Sequence, residues 1–221
     1  MFSSWFNTTN KILFQSLSAY FACDNSNKKF LTINDIKLLS NDYKSYYIKK
    51  WIINNDIESI SKFITENVDE KIDDITDNYR KTLLMIACEC DIQNPTIIKR
   101  LIDAKSDVNA KTIDGHTALM YACDNVNPNV EVIKILLDNG ANVNMRNTFN
   151  NSALTIALSY NIKDKNLEVV KILLNAGSEY DHVSHSSMLK LMKILFPLKD
   201  EENKKIILEL RNEISELKKR N

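Results

Sequence analysis

Residues 111–144 read KTIDGHTALMYACDNVNPNVEVIKILLDNGANVN, and the architecture can be worked out from this stretch. Thr117-Ala118-Leu119-Met120-Tyr121-Ala122 has a counterpart 35 residues earlier, Thr82-Leu83-Leu84-Met85-Ile86-Ala87, and another 35 residues later, Ser152-Ala153-Leu154-Thr155-Ile156-Ala157. Val132-Ile133-Lys134-Ile135-Leu136-Leu137 is matched by Ile97-Ile98-Lys99-Arg100-Leu101-Ile102 and by Val169-Val170-Lys171-Ile172-Leu173-Leu174. Asn142-Val143-Asn144 is matched by Asp107-Val108-Asn109 and, less closely, by Glu179-Tyr180-Asp181. Three blocks in fixed order, each present three times, make a repeat, and a repeat of this length is a stackable supersecondary unit.

The chemistry of each block predicts its structure. The first block is a short helix with a small residue, Ala87, Ala122 or Ala157, where neighbouring helices meet. Asn94-Pro95 and Asn127-Pro128 read as N-cap and first position of a second helix. That helix carries its apolar residues at helical spacing. Gly140 and Gly177 follow it, where a left-handed C-cap suits glycine, and Lys105 holds the same place in the first unit as a strained helix end. Asp114-Gly115 turns an extended finger back towards Thr117. One unit cannot cover its own apolar face, so the units must stack.

These residues resemble the ankyrin repeat. Gly115-His116-Thr117-Ala118-Leu119 and Gly140-Ala141-Asn142-Val143-Asn144 follow the family pattern most closely, and the likeness covers residues 76–182. The resemblance implies an all-α solenoid of stacked helix-turn-helix units with β-hairpin-like fingers and helical caps at both ends. Its Asn- and Ile-rich style resembles ankyrin proteins of giant DNA viruses. The family histidine is replaced by Met85, Met120 and Thr155, so these units should lean more on apolar packing. The loops between paired helices are longer than the family norm.

The expected organisation is a helical segment of unclear role at 1–47, a degenerate unit at 48–75, units at 76–110, 111–145 and 146–182, and capping helices at 183–221. Within the degenerate unit, Asn54-Asn55-Asp56 leads into a second helix starting at Ile57. In the first segment Leu31, Ile33, Ile36, Leu38 and Leu39 are candidates for burial. An apolar run from Met188 to Phe196 reads as the C-terminal cap. Ile207, Leu210, Ile214 and Leu217 form a stripe, too short for a coiled coil, that packs on the last repeat or pairs two copies.

Composition excludes much else. The chain has 221 residues, with 29 basic and 29 acidic side chains, and so lacks the basic excess of a nucleic-acid binder. It has three Gly and three Pro, too few for sheet sandwiches or for Gly-rich phosphate-binding loops. No run is long and apolar enough to cross a membrane. The apolar stretch from Ile12 to Cys23, interrupted by Gln15, reads as a helix covering the array rather than a signal peptide. Cys23, Cys88, Cys90 and Cys123 are too few and too uneven for a disulfide framework; Cys88 and Cys123 share one repeat position and read as core. Cys88-x-Cys90 and His182-x-x-His185 have no second ligand pair. No catalytic residue, metal or cofactor is expected.

The resemblance places partner-facing residues on the finger tips and the exposed side of each first helix. Carried over by position, these are Thr76, Asn78, Tyr79, Lys81 and Glu89; then Lys111, Ile113, Asp114, His116, Asp124 and Asn125; then Arg146, Thr148, Phe149, Asn151 and Tyr160. His116 is expected as an exposed contact residue. The function implied is a non-catalytic scaffold that binds a protein, a host protein if the viral likeness holds, acting as a cytoplasmic monomer. An adaptor whose end segments recruit other machinery, such as ubiquitin ligation, is the alternative, although no F-box or BTB pattern is present. Self-association through residues 200–220 is the third.

Overall fold

The computed structural model describes residues 41–66, 71–159 and 164–180, with the single positions Leu191, Leu208 and Asn212. Eight α-helices are described, in pairs. They are α1 (Asn41–Ile53) with α2 (Ile57–Glu66), α3 (Leu83–Glu89) with α4 (Pro95–Asp103), α5 (Ala118–Cys123) with α6 (Val130–Asp138), and α7 (Ala153–Ser159) with α8 (Asp164–Asn175). First helices pack on first helices, α1 on α3, α3 on α5, α5 on α7. Second helices do the same, α2 on α4, α4 on α6, α6 on α8. This is the expected solenoid. The 47/48 boundary falls inside α1, and Asp56 caps α2 by accepting the Ser59 N–H at 3.0 Å.

The hydroxyl that opens each first block is a helix cap. Thr82 accepts the N–H of Met85 (3.4 Å), Thr117 that of Met120 (3.3 Å) and Ser152 that of Thr155 (3.3 Å). Each satisfies an amide that a helix start leaves unpaired. In the third unit Thr155 also accepts the Ser152 N–H at 2.7 Å, so the pair caps reciprocally. Met85 and Met120, which replace the family histidine, are buried in the core.

The second helices end alike. Lys105 and Ser106 N–H donate to Ile102 and Leu101, Gly140 and Ala141 to Leu137 and Leu136, Gly177 and Ser178 to Leu174 and Leu173. That crossed pair needs a left-handed residue, supplied at φ +67° by Lys105, +84° by Gly140 and +83° by Gly177. Lys105 therefore holds a conformation that costs a side chain about 1 kcal/mol. Asn94 caps α4 with Pro95 in its first turn, as the sequence predicts. At α6 the expectation fails. The cap is Asn129, not Asn127, and Pro128 is buried ahead of it. Asn129 prevails because both its N–H and its side-chain amide are bound to Gln93, at 2.8 and 3.0 Å.

The core runs unbroken through the stack. It includes Ile60 and Phe63 of α2, Leu84, Ala87 and Cys88 of α3, Leu119, Ala122 and Cys123 of α5, and Leu154 and Leu158 of α7. Leu191 is also fully buried. Burial raises the Cys88 thiol far above its ordinary value and the Cys123 thiol to about 12. Neither is a nucleophile at neutral pH, and both are core residues as expected.

Asparagines tie successive units together. Asn109 accepts the Asn142 N–H (2.8 Å) and donates to the Gly140 carbonyl (2.9 Å). Asn144 repeats this with Glu179 (2.8 Å) and Gly177 (3.1 Å). At the preceding junction Asp73 accepts the Asp107 N–H at 2.6 Å, but a carboxylate has no donor to offer. Burial raises the Asp73 pKa, with the Asp107 N–H working against it. A carboxyl whose pKa is raised on folding holds its proton more tightly in the native state, so stability falls as pH rises from the ordinary 3.8 through the raised value. Asp73→Asn should stabilise the chain by about 0.5 kcal/mol at neutral pH, discounted for solvent screening. The gap between the two proteins should open across that acid window and be flat above it. Thermal unfolding at a series of pH values measures the gap; a gap independent of pH refutes the assignment.

Residues 1–40, the remaining positions of 183–221, and Tyr160, His182 and His185 lie outside the described residues. So do the expectations placed on them.

Candidate functional site

The site is built from fingers that precede α3, α5 and α7. Asp77, Thr112 and Asn147, 35 residues apart, open the three turns. Their carbonyls accept the N–H of Arg80 (2.9 Å), Gly115 (2.9 Å) and Asn150 (2.9 Å). Their side-chain oxygens accept the N–H of Lys81 (2.9 Å), His116 (3.0 Å) and Asn151 (2.9 Å). Asp, Thr and Asn all serve because each has an acceptor one or two bonds beyond Cβ. The fourth residue of each turn is left-handed in every case, at φ +58° for Arg80, +75° for Gly115 and +61° for Asn150.

The fingers are laced edge to edge. Ile113 N–H donates to the Tyr79 carbonyl at 3.0 Å, and Thr148 N–H to the Asp114 carbonyl at 2.9 Å. This brings Ile113 beside Tyr79, although the two do not share a repeat position. Tyr79, Ile113 and Phe149 are 64%, 59% and 71% exposed. Each finger thus lifts one apolar side chain into solvent from a backbone tied to its neighbour. Asn78, Lys111, Asp114, Thr148 and Asn151 are exposed around them, and Glu89 and Asp124 are exposed at the far ends of α3 and α5.

Of the other expected contact residues, Thr76, Lys81, His116 and Arg146 lie beneath the tips as a floor, and Asn125 lies at the far end of the first helices. Thr76 pairs with Thr82 in an isolated antiparallel bridge. Lys81 Nζ lies 2.8 Å from Glu89 and 4.7 Å from the Tyr121 ring centre. Burial disfavours its charge, but the Glu89 bond and charge outweigh that and hold the ammonium above its ordinary pKa. His116 is half-buried rather than exposed. Its ring lies 5.5 Å from that of Tyr121, and its Nε2 is 3.1 Å from Asn147 Nδ2. Asn147 Oδ1 already accepts the Phe149 and Asn151 N–H groups. Its Nδ2 is therefore the donor and His116 Nε2 the acceptor. Asn125 donates to the Cys90 carbonyl at 3.0 Å, and Arg146 stands 3.7 Å from Glu179.

Tyr121 is the residue that sequence reasoning missed. It occupies the place of Ile86 and Ile156, both buried, but is itself half-exposed in the middle of the floor. A polar-tipped ring in an otherwise aliphatic register was the available signal. Burial raises its hydroxyl pKa, partly offset by Lys81. Among the described residues no group of His, Cys, Asp and Glu could hold a metal ion. No described helix is long and apolar enough to cross a membrane.

Compared with known families, residues 19–147 and 84–184 match a family model described as ankyrin repeats, three copies. No curated protein matches the chain.

Proposed function

The chain belongs to the ankyrin-repeat family, and we propose that it is a recognition scaffold whose laced finger tips, with the floor of first helices beneath, grip a protein partner. Ankyrin repeats generally mediate protein–protein interaction and are typically non-catalytic. The observation that carries the reading is the row of Tyr79, Ile113 and Phe149, exposed on backbone that the finger-to-finger bonds already hold. Rigid, solvent-facing apolar and aromatic side chains are what interface hot spots are made of. Lys81, Glu89, Tyr121 and His116 form the polar floor, and their mutual contacts fix its shape before a partner arrives. The Asn- and Ile-rich composition supports a viral source, and with it a host protein as the partner met in the cytoplasm.

Replacing Tyr79, Ile113 and Phe149 together with serine should leave the melting temperature nearly unchanged, because none is in the core. It should weaken partner capture about a hundredfold or more, the usual effect of losing several anchors. Affinity capture with the intact chain as bait, followed by mass spectrometry, identifies the partner, and the triple variant is then compared with wild type. Equal capture by both removes the finger tips as the site.

A further inference from the structure

Two loops at the other end of the first helices carry a feature that folding does not explain. Residues 90–94 join α3 to α4, and residues 124–129 join α5 to α6. Each exposes one aliphatic side chain, Ile92 at 68% and Val126 at 73%. Neither loop is slack. Asn125 Nδ2 donates to the Cys90 carbonyl at 3.0 Å, and Asn129 donates to Gln93 from both its N–H and its side chain, at 2.8 and 3.0 Å. Ile92 therefore lies between two stitched points on one loop, and Val126 between the matching points on the next. The Gln93–Asn129 bonds serve the fold, but exposing aliphatics on the loops they hold returns nothing to folding. A binding surface gains from both, because its anchors are ordered in advance.

The two loop segments themselves carry only acidic charge. Asp91 adjoins Ile92 in the chain, Glu89 opens the same segment and Asp124 precedes Val126 by two residues, and residues 89–94 and 124–129 contain no Lys or Arg. The C-terminal ends of α3 and α5 add the negative pole of each helix. Of the cations that approach, Lys81 is bound to Glu89, and Lys49 of α1 comes near Cys90. α3, seven residues long, separates this rim from the fingers by about 10 Å.

We propose that the rim formed by Ile92 and Val126 is a second docking surface, and that it takes a basic segment of a protein partner whose Lys or Arg side chains flank aliphatic anchors. It does not depend on the finger-tip reading. The chain would then hold two partners at opposite ends of its first helices.

The test titrates the intact chain into a labelled amphipathic peptide of leucine and lysine, with a leucine–glutamate peptide as control, and reads fluorescence anisotropy. The lysine peptide should bind and the glutamate peptide should not, and added salt should weaken the complex. Ile92→Ser with Val126→Ser should weaken binding about tenfold or more, with the circular dichroism spectrum unchanged. Asp91→Lys with Asp124→Lys should transfer binding to the glutamate peptide. Serine at Tyr79, Ile113 and Phe149 should leave lysine-peptide binding intact, so the two surfaces fail or stand separately. The proposal is overturned if the lysine peptide does not bind, if both peptides bind alike, if the Ile92/Val126 variant binds as wild type, or if the finger-tip variant abolishes binding.

Discussion

Gln93→Leu is expected to destabilise the chain by about 3 kcal/mol, although position 93 lies in a connecting loop. The side chain is 5% exposed. Its Nε2 donates to the Cys88 carbonyl at 2.6 Å and to the Ala122 carbonyl at 3.2 Å, while its Oε1 accepts the Asn129 N–H at 2.8 Å. Two of these partners belong to the last turns of α3 and α5, and the third is the cap residue of α6. One amide thus closes the ends of three helices from two neighbouring units. Leucine has nearly the same volume and none of the bonding capacity, so three polar groups would lose their partner at a buried site. Each orphaned group costs about 1 kcal/mol or more. Because two of the three lost bonds cross between units, cooperativity should fall as well. Urea denaturation reads both effects, as a lower midpoint and a shallower slope. A midpoint equal to wild type would mean that Gln93 does not clamp the three helix ends.

Gly115→Ala should cost about 2–3 kcal/mol, combining left-handed strain with a backbone collision. Gly115 has φ +75°, and an added Cβ would come within 3.1 Å of Asn147 Cα and 3.3 Å of Thr148 N. Both atoms belong to the next finger, which the Thr148–Asp114 bond draws close. The companion Gly140→Ala separates the two causes. Gly140 has nearly the same dihedral, φ +84°, with nothing within 4 Å of the added carbon, so it should cost only about 1 kcal/mol. The difference between the two melting temperatures measures how tightly the fingers stack. Equal losses would show that the contact between fingers contributes nothing.

Much of the fold was legible because each unit solves its local problems with local residues. Thr82 and Thr117 cap the helices that follow them, Gly140 and Gly177 end the helices that precede them, and Asn94-Pro95 opens α4. Each of these roles is set within a few residues along the chain. The misreadings share the opposite property. Asn129 displaced Asn127 as a cap because Gln93, 36 residues away, holds it. His116 is half-buried because Asn147, 31 residues on, reaches back to it, and Tyr121 supplies its other contact. Gln93 reads as an ordinary loop residue until the carbonyls of two helices converge on it.

The order of amino acids is enough to set the architecture: a 35-residue period, its apolar faces and its caps leave a stacked helical array as the way to cover those faces. Which side chains remain available at the surface is settled by the packing of one unit on the next. Tyr79, Ile113 and Phe149 stand clear, while Lys81, His116 and Arg146 are engaged. For His116 and Arg146, as for Gln93, the deciding contacts join residues about one repeat apart, and stacking alone brings them within reach.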